Sequence, residues 1–137
     1  MILAGLNRNQ LYNVLFLCAA VILFLITDTL LKPSVASVSV DHANALVASN
    51  EAIVIDVRDR YAYEKEHLPR ALSVPLAELK NRMGEFVGDK AIIVYCNEGR
   101  NTGPKATAQL NHAGFAHAVN LEGGIEGWRG AGFRTEK

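Results

Sequence analysis

Two short runs, Ala52-Ile53-Val54-Ile55-Asp56-Val57 and Ala91-Ile92-Ile93-Val94-Tyr95, constrain this chain more than anything else in it. Each is a nearly continuous apolar, β-branched block bounded by polar residues, so neither leaves a face for water. A strand that is apolar on both faces belongs inside a parallel sheet covered by helices. The intervening segments supply those helices. Asp41 suits the cap of a helix through Val47, and Asp59 the cap of one from Arg60 to about Glu66, before Leu68-Pro69 interrupts it. Leu76, Leu79 and Met83 recur on one helical face that Gly84 closes. Pro104 and Gly114 bracket a helix running to about Ala113. Val38–Val40, Ala71–Val74 and Ala118–Leu121 read as short strands, and Gly123-Gly124 opens a turn of helix holding Ile125 and Trp128. Strands alternating with helices predict an α/β domain, an open parallel sheet of about five strands with helices on both faces.

That domain accounts for residues 38–137. Ahead of it, Leu11 to Ile26 is apolar almost without interruption, with Asn13 the exception. As a helix this run reaches about 24 Å, and extension to Leu31 covers the roughly 30 Å of a bilayer's hydrocarbon core. Apolar residues on nearly every side of the helix disfavour a buried core element. Residues 1–31 therefore read as a short tail and a transmembrane anchor, with a cleaved signal peptide as the rival. The small residues at Ser34-Val35-Ala36 and Val35-Ala36-Ser37 suit cleavage, whereas the length of the run and the charges of Asp28 and Lys32 oppose it. Residues 32–37 form a linker. Arg8 and Lys32 flank the run almost evenly, so orientation rests on the short N-terminal tail, which is more natural inside, with the domain extracytoplasmic.

Across its 137 residues the chain carries no net formal charge and has no basic stripe, which argues against a nucleic-acid partner. Its two cysteines, Cys18 in the apolar run and Cys96 after a strand, are poor candidates for a disulfide. None of His42, His67, His112 and His117 stands at metal-ligand spacing from a cysteine, so neither a metal nor a cofactor is expected.

Cys96 ends the run Ala91–Tyr95, and the polar loop Asn97-Glu98-Gly99-Arg100-Asn101 leads into the next helix. The thiol thus falls at the carboxyl edge of the sheet, where open α/β folds bind ligands. A helix N-terminus aimed at sulfur favours thiolate, the form that attacks. Inward-turned backbone N–H groups would make an anion nest, Gly99 permits the curl, and Arg100 offers a fork of donors to an oxyanion. No histidine adjoins Cys96, so activation falls to loop and helix. Glu98 opposes a nearby thiolate and is expected to point outward or to meet a cationic or thiol-bearing acceptor. A buried cysteine is often merely a small apolar filler, but this loop is too polar for that role.

Four ordered stretches carry a family resemblance. They are Ile55-Asp56-Val57-Arg58; Glu66-His67-Leu68-Pro69-Arg70-Ala71 with Val74-Pro75; Val94-Tyr95-Cys96-Asn97-Glu98-Gly99-Arg100; and Leu121-Glu122-Gly123-Gly124-Ile125-Glu126-Gly127-Trp128. From about Val38 to Phe133 the chain resembles a single-domain rhodanese of the thiosulfate sulfurtransferase family. Its Cys-Asn-x-Gly-Arg loop is similar to the phage-shock type. The resemblance implies a Cys96 persulfide that carries sulfane sulfur from thiosulfate or a persulfide donor to a thiol or cyanide. It further implies substrate contacts at Asn97, Glu98, Gly99, Arg100 and Asn101, with Arg100 meeting the oxyanion. The commonest family loop ends in arginine at its sixth position, which is Asn101 here. Asp56 and Arg58 are expected to support the loop, His67 to be a packed and hydrogen-bonded residue, and Trp128 to anchor the core. Two rivals are a non-catalytic rhodanese-like module at a membrane and, more weakly, a cysteine phosphatase or arsenate reductase. A phosphatase loop would place arginine where Thr102 stands.

Overall fold

The computed structural model describes residues 2–31 and 34–137, so Lys32 and Pro33 of the expected linker lie outside the described residues. The chain divides into two compact units, residues 1–32 and residues 33–137.

The first unit is essentially one helix, α1 (Arg8–Leu30). Asn7 begins it with a reciprocal cap: its side chain accepts from the Gln10 N–H at 2.9 Å, and Gln10 accepts from the Asn7 N–H at 3.0 Å. None of the α1 residues is buried. The helix is long and apolar enough to cross a membrane.

The second unit contains β1 (Ser37–Val38), α2 (Val40–Ala48), β2 (Ala52–Asp56), α3 (Arg60–Lys65), β3 (Leu72–Ser73), α4 (Leu76–Arg82), β4 (Ala91–Tyr95), α5 (Thr102–His112), β5 (Ala118–Leu121) and α6 (Gly124–Gly130). Its five strands lie in the order β1-β5-β4-β2-β3, and every pairing is parallel. The two apolar runs are the neighbours β2 and β4, in register from Ala52↔Ala91 to Asp56↔Tyr95.

Side-chain alternation along the strands divides the core into two layers. Val54, Ile93, Tyr95 and Leu121 face α2 and α6, where Ala43, Val47, Ile125 and Trp128 pack. Ile55, Ile92, Val94 and Cys96 face α4 and α5, represented by Leu79, Ala106 and Leu110. After β2 the chain moves outward to the β3 edge, and after β4 it moves the other way, to β5. The divergence leaves a crevice at the carboxyl ends of β2 and β4, the position at which open α/β sheets place their sites.

Two local expectations shift. Ser39, with extended backbone, caps α2 by accepting from the His42 N–H at 3.3 Å, and Asp41 falls inside the first turn. The short edge strand accordingly ends at Val38. In α5, Pro104 is the third helical residue, where its missing N–H still costs no internal bond.

Trp128 is fully buried, donates from Nε1 to the Arg134 carbonyl at 3.0 Å and packs on Phe133. Trp128→Ala should therefore lower unfolding free energy by roughly 3–5 kcal/mol. Urea titration of the full chain in mild detergent measures this, and a loss below about 1 kcal/mol would remove Trp128 as an anchor.

Candidate active site

Strand β4 delivers Cys96 to the crevice. Period-two alternation puts its side chain with Ile92 and Val94, on the α5 side of the sheet, and leaves the residue 7% exposed. The following residues, 97–101, are a series of bends with no hydrogen-bonded turn. Their conformation is imposed from outside the loop. The Ile125 N–H donates to the Cys96 carbonyl at 3.0 Å, and the Glu126 N–H to the Asn97 carbonyl at 3.1 Å. Asn120 Nδ2 donates to the Gly99 carbonyl at 2.8 Å. In a planar trans peptide the N–H opposes the C=O, so the amides of Asn97, Glu98 and Arg100 are turned away from those donors. The Gly99 N–H donates to Cys96 Sγ at 3.3 Å.

Two glycines make this packing feasible. Gly99 has φ +72°, and a Cβ there would stand 2.5 Å from the Leu121 carbonyl oxygen. Gly124 has φ +57°, with the corresponding position 2.4 Å from the Cys96 carbonyl oxygen. Any side chain would combine backbone strain with a steric clash.

A buried polar knot flanks the thiol. Asp56, fully buried, accepts from the Arg58 backbone N–H at 2.9 Å, from Arg58 Nε at 3.0 Å and from Arg58 Nη2 at 2.7 Å. The Tyr95 hydroxyl donates to Asp56 Oδ2 at 2.6 Å and accepts from the Leu68 N–H at 3.1 Å. Arg58 Nη2 also donates to the Glu66 carbonyl at 2.6 Å, and Nη1 reaches Asn97 Oδ1 at 3.4 Å. Burial works against the Arg58 charge, but the hydrogen bonds and charge of Asp56 outweigh it and leave the guanidinium more basic than usual.

Cys96, Asn97, Glu98, Arg100 and Asn101 line one cleft of ≈ 450 Å³, together with Arg58. Gly99 joins the site through its N–H, and Asp56 stays behind Arg58. Glu98 and Arg100 are both exposed and form an ion pair with each other. Tyr95 and Asn120 also hold the site together, although neither lies in the loop. The hydroxyl of Tyr95 gave no sign within an apolar strand. Asn120 did leave a signal, as a lone amide in Ala118–Leu121, and it is 3% exposed. His67 lies elsewhere, stacked on Tyr63 at 3.9 Å between ring centroids, with Nδ1 2.8 Å from the Tyr63 carbonyl oxygen.

A parallel α/β sheet with a cysteine loop at its carboxyl edge defines the class, and residues 39–131 match the rhodanese-like domain. The chain belongs to the rhodanese-like domain family. It is 30% identical over 98 residues to YrkF of Bacillus subtilis (strain 168), described as a candidate sulfur carrier protein, covering 71% of this chain and 52% of that one. It is 35% identical over 88 residues to the tRNA uridine(34) hydroxylase of Enterobacter sp. (strain 638), covering 60% of this chain and 25% of the relative. Its fold superposes on a thiosulfate sulfurtransferase from Pseudomonas aeruginosa with a TM-score of 0.68 and 31% identity, over 82% of this chain and 21% of that one. The chain thus spans about half or less of each of these relatives.

Tyr95 makes the stability of the fold depend on pH in the alkaline range. Burial, and then the Asp56 carboxylate, hold its hydroxyl far above the ordinary tyrosine range. An unfolded tyrosine ionises near pH ~10. The stability contributed by neutral Tyr95 is therefore complete below about pH 10 and declines above it, by up to about 1.4 kcal/mol per pH unit. Tyr63, also shifted upward by burial first, adds in the same direction. Denaturant titrations at pH 8 and 11 should show a steeper alkaline loss for the wild type than for Tyr95→Phe; equal losses would contradict this.

Proposed function

We propose that the protein is a sulfurtransferase whose Cys96 carries sulfane sulfur from thiosulfate or a persulfide donor to a thiol acceptor or cyanide. The observation that carries the reading is the Gly99 N–H on Cys96 Sγ, in a loop whose Cys96, Asn97 and Gly99 carbonyls accept from α6 and Asn120. Such N–H donors stabilise both a thiolate and the anion it attacks.

In this reading the Cys96 thiolate attacks the outer sulfur of thiosulfate. A Cys96 S–S bond forms, the sulfur–sulfur bond of the donor breaks, and sulfite leaves with the electron pair. Charge balances, since thiolate and dianion become persulfide anion and sulfite dianion. Cyanide or an acceptor thiolate then takes the outer sulfur and restores the Cys96 thiolate. The backbone from Asn97 to Asn101 cradles the anion, and Arg100 contacts the oxyanion. Asp56 and Arg58 act as positioning residues, since their hydrogen bonds join the end of β2 to the Glu66 carbonyl and to Asn97. The similarity to a thiosulfate sulfurtransferase and to a candidate sulfur carrier supports this chemistry over a phosphatase, whose loop arginine would replace Thr102.

We also propose that α1 anchors the protein in a membrane as a single pass, with the domain extracytoplasmic; the almost unbroken apolar run Leu11–Ile26 within it supports the span.

The reduced full chain in detergent, incubated with thiosulfate, should gain the mass of one sulfur atom, and a reductant should remove it. Cys96→Ser should show no adduct and at least a ~10³-fold loss of thiocyanate formation from thiosulfate and cyanide. An unloaded wild type would leave a binding module, whereas turnover retained by Cys96→Ser would place the chemistry elsewhere.

A further inference from the structure

The lining of the Cys96 cleft is electrostatically self-cancelling. It holds two arginines, Arg58 and Arg100, and two carboxylates, Asp59 and Glu98. Arg58 is already committed to buried Asp56. Arg100, the cation assigned to an incoming oxyanion, is held by Glu98 two residues earlier in the same loop. A small dianion entering here meets no unopposed cation among the described lining residues, and it meets Glu98 at the mouth.

We infer that Glu98 is a specificity-determining residue that selects against dianionic oxyanion donors and in favour of persulfides whose remaining groups are neutral or cationic. The inference rests on the sulfur-transfer reading above. With 80% and 50% side-chain exposure for Arg100 and Glu98, the pair is solvated, so it restrains Arg100 without locking it away. Thiosulfate must draw Arg100 from Glu98 while approaching a carboxylate. A persulfide bearing an ammonium group has no such conflict, because Glu98 attracts it. In that transfer the Cys96 thiolate attacks the outer sulfur of the donor, a new S–S bond forms at Cys96, and the donor's own S–S bond breaks. The donor leaves as its thiolate with the electron pair.

The test is the second-order rate of sulfur loading onto the reduced full chain in detergent, followed by mass, with thiosulfate or cysteamine persulfide as donor. Glu98→Gln should raise the thiosulfate rate about 3- to 10-fold at low ionic strength, an effect shrinking as salt screens exposed charges. The same variant should lower the cysteamine persulfide rate. Glu98→Ala should follow Glu98→Gln, whereas Glu51→Gln, at the opposite edge of the sheet, should alter neither rate. A thiosulfate rate that is unchanged or lowered, or one that rises equally with the cationic donor, would overturn the role of Glu98 while leaving sulfur transfer intact. Failure of wild type and variants to load sulfur from either donor would instead reject the sulfurtransferase reading, and this inference with it.

Discussion

The direction of three carbonyl groups governs the carboxyl edge of this sheet. Those of Cys96, Asn97 and Gly99 accept from the first turn of α6 and from the amide of Asn120. These bonds satisfy backbone oxygens that would otherwise be costly to bury. They also orient the opposite sides of the same peptides, so that the N–H groups of Asn97, Glu98 and Arg100 are turned away from α6 and Asn120, while the Gly99 N–H, on a peptide whose carbonyl is not among the three, meets the sulfur. Gly124 is required because the helix end approaches the Cys96 carbonyl too closely for any side chain. Ring closure through β5 and α6 thus shapes a loop that makes no hydrogen-bonded turn of its own.

The knot of Asp56, Arg58 and Tyr95 serves the other side of the site. Asp56 and Tyr95 are register partners at the ends of β2 and β4, so their bond joins the two strands where the crevice opens. Arg58 links that pair to the Glu66 carbonyl and to Asn97. An arginine so fully engaged is poorly placed to serve as a free cation for a ligand. Charge available at the cleft mouth consequently depends on Arg100, and Arg100 is shared with Glu98.

Much of the architecture was legible because apolar runs are a strong physical signal. Residues 52–56 and 91–95 could be satisfied only by burial on both faces, and they are the paired strands β2 and β4. Boundaries were less legible where two residues competed for one task. Ser39 and Asp41 both suit an N-cap, and only the backbone path to Val38 selects Ser39. At the site, Cys96 and its loop are contiguous in sequence, whereas Tyr95–Asp56 and Asn120–Gly99 are contacts between distant segments. Local pattern carries no information about such pairs. The ion pair of Glu98 with Arg100 is local, yet charge type alone did not show that each would be the other's partner.

Gly99 offers its N–H to Cys96 Sγ, and the first turn of α6 holds the loop through the Cys96 and Asn97 carbonyls. Amide ¹⁵N–¹H spectra of the full chain in detergent, reduced and then sulfur-loaded, report on both sides of this loop. The largest changes should fall at Gly99 and the neighbouring amides of Asn97, Glu98 and Arg100. Ile125 and Glu126, bonded to carbonyls on the far side, should move little. A loaded protein in which Gly99 stays unmoved, or in which Ile125 and Glu126 shift most, would rule out sulfur held on the Gly99 side of the loop.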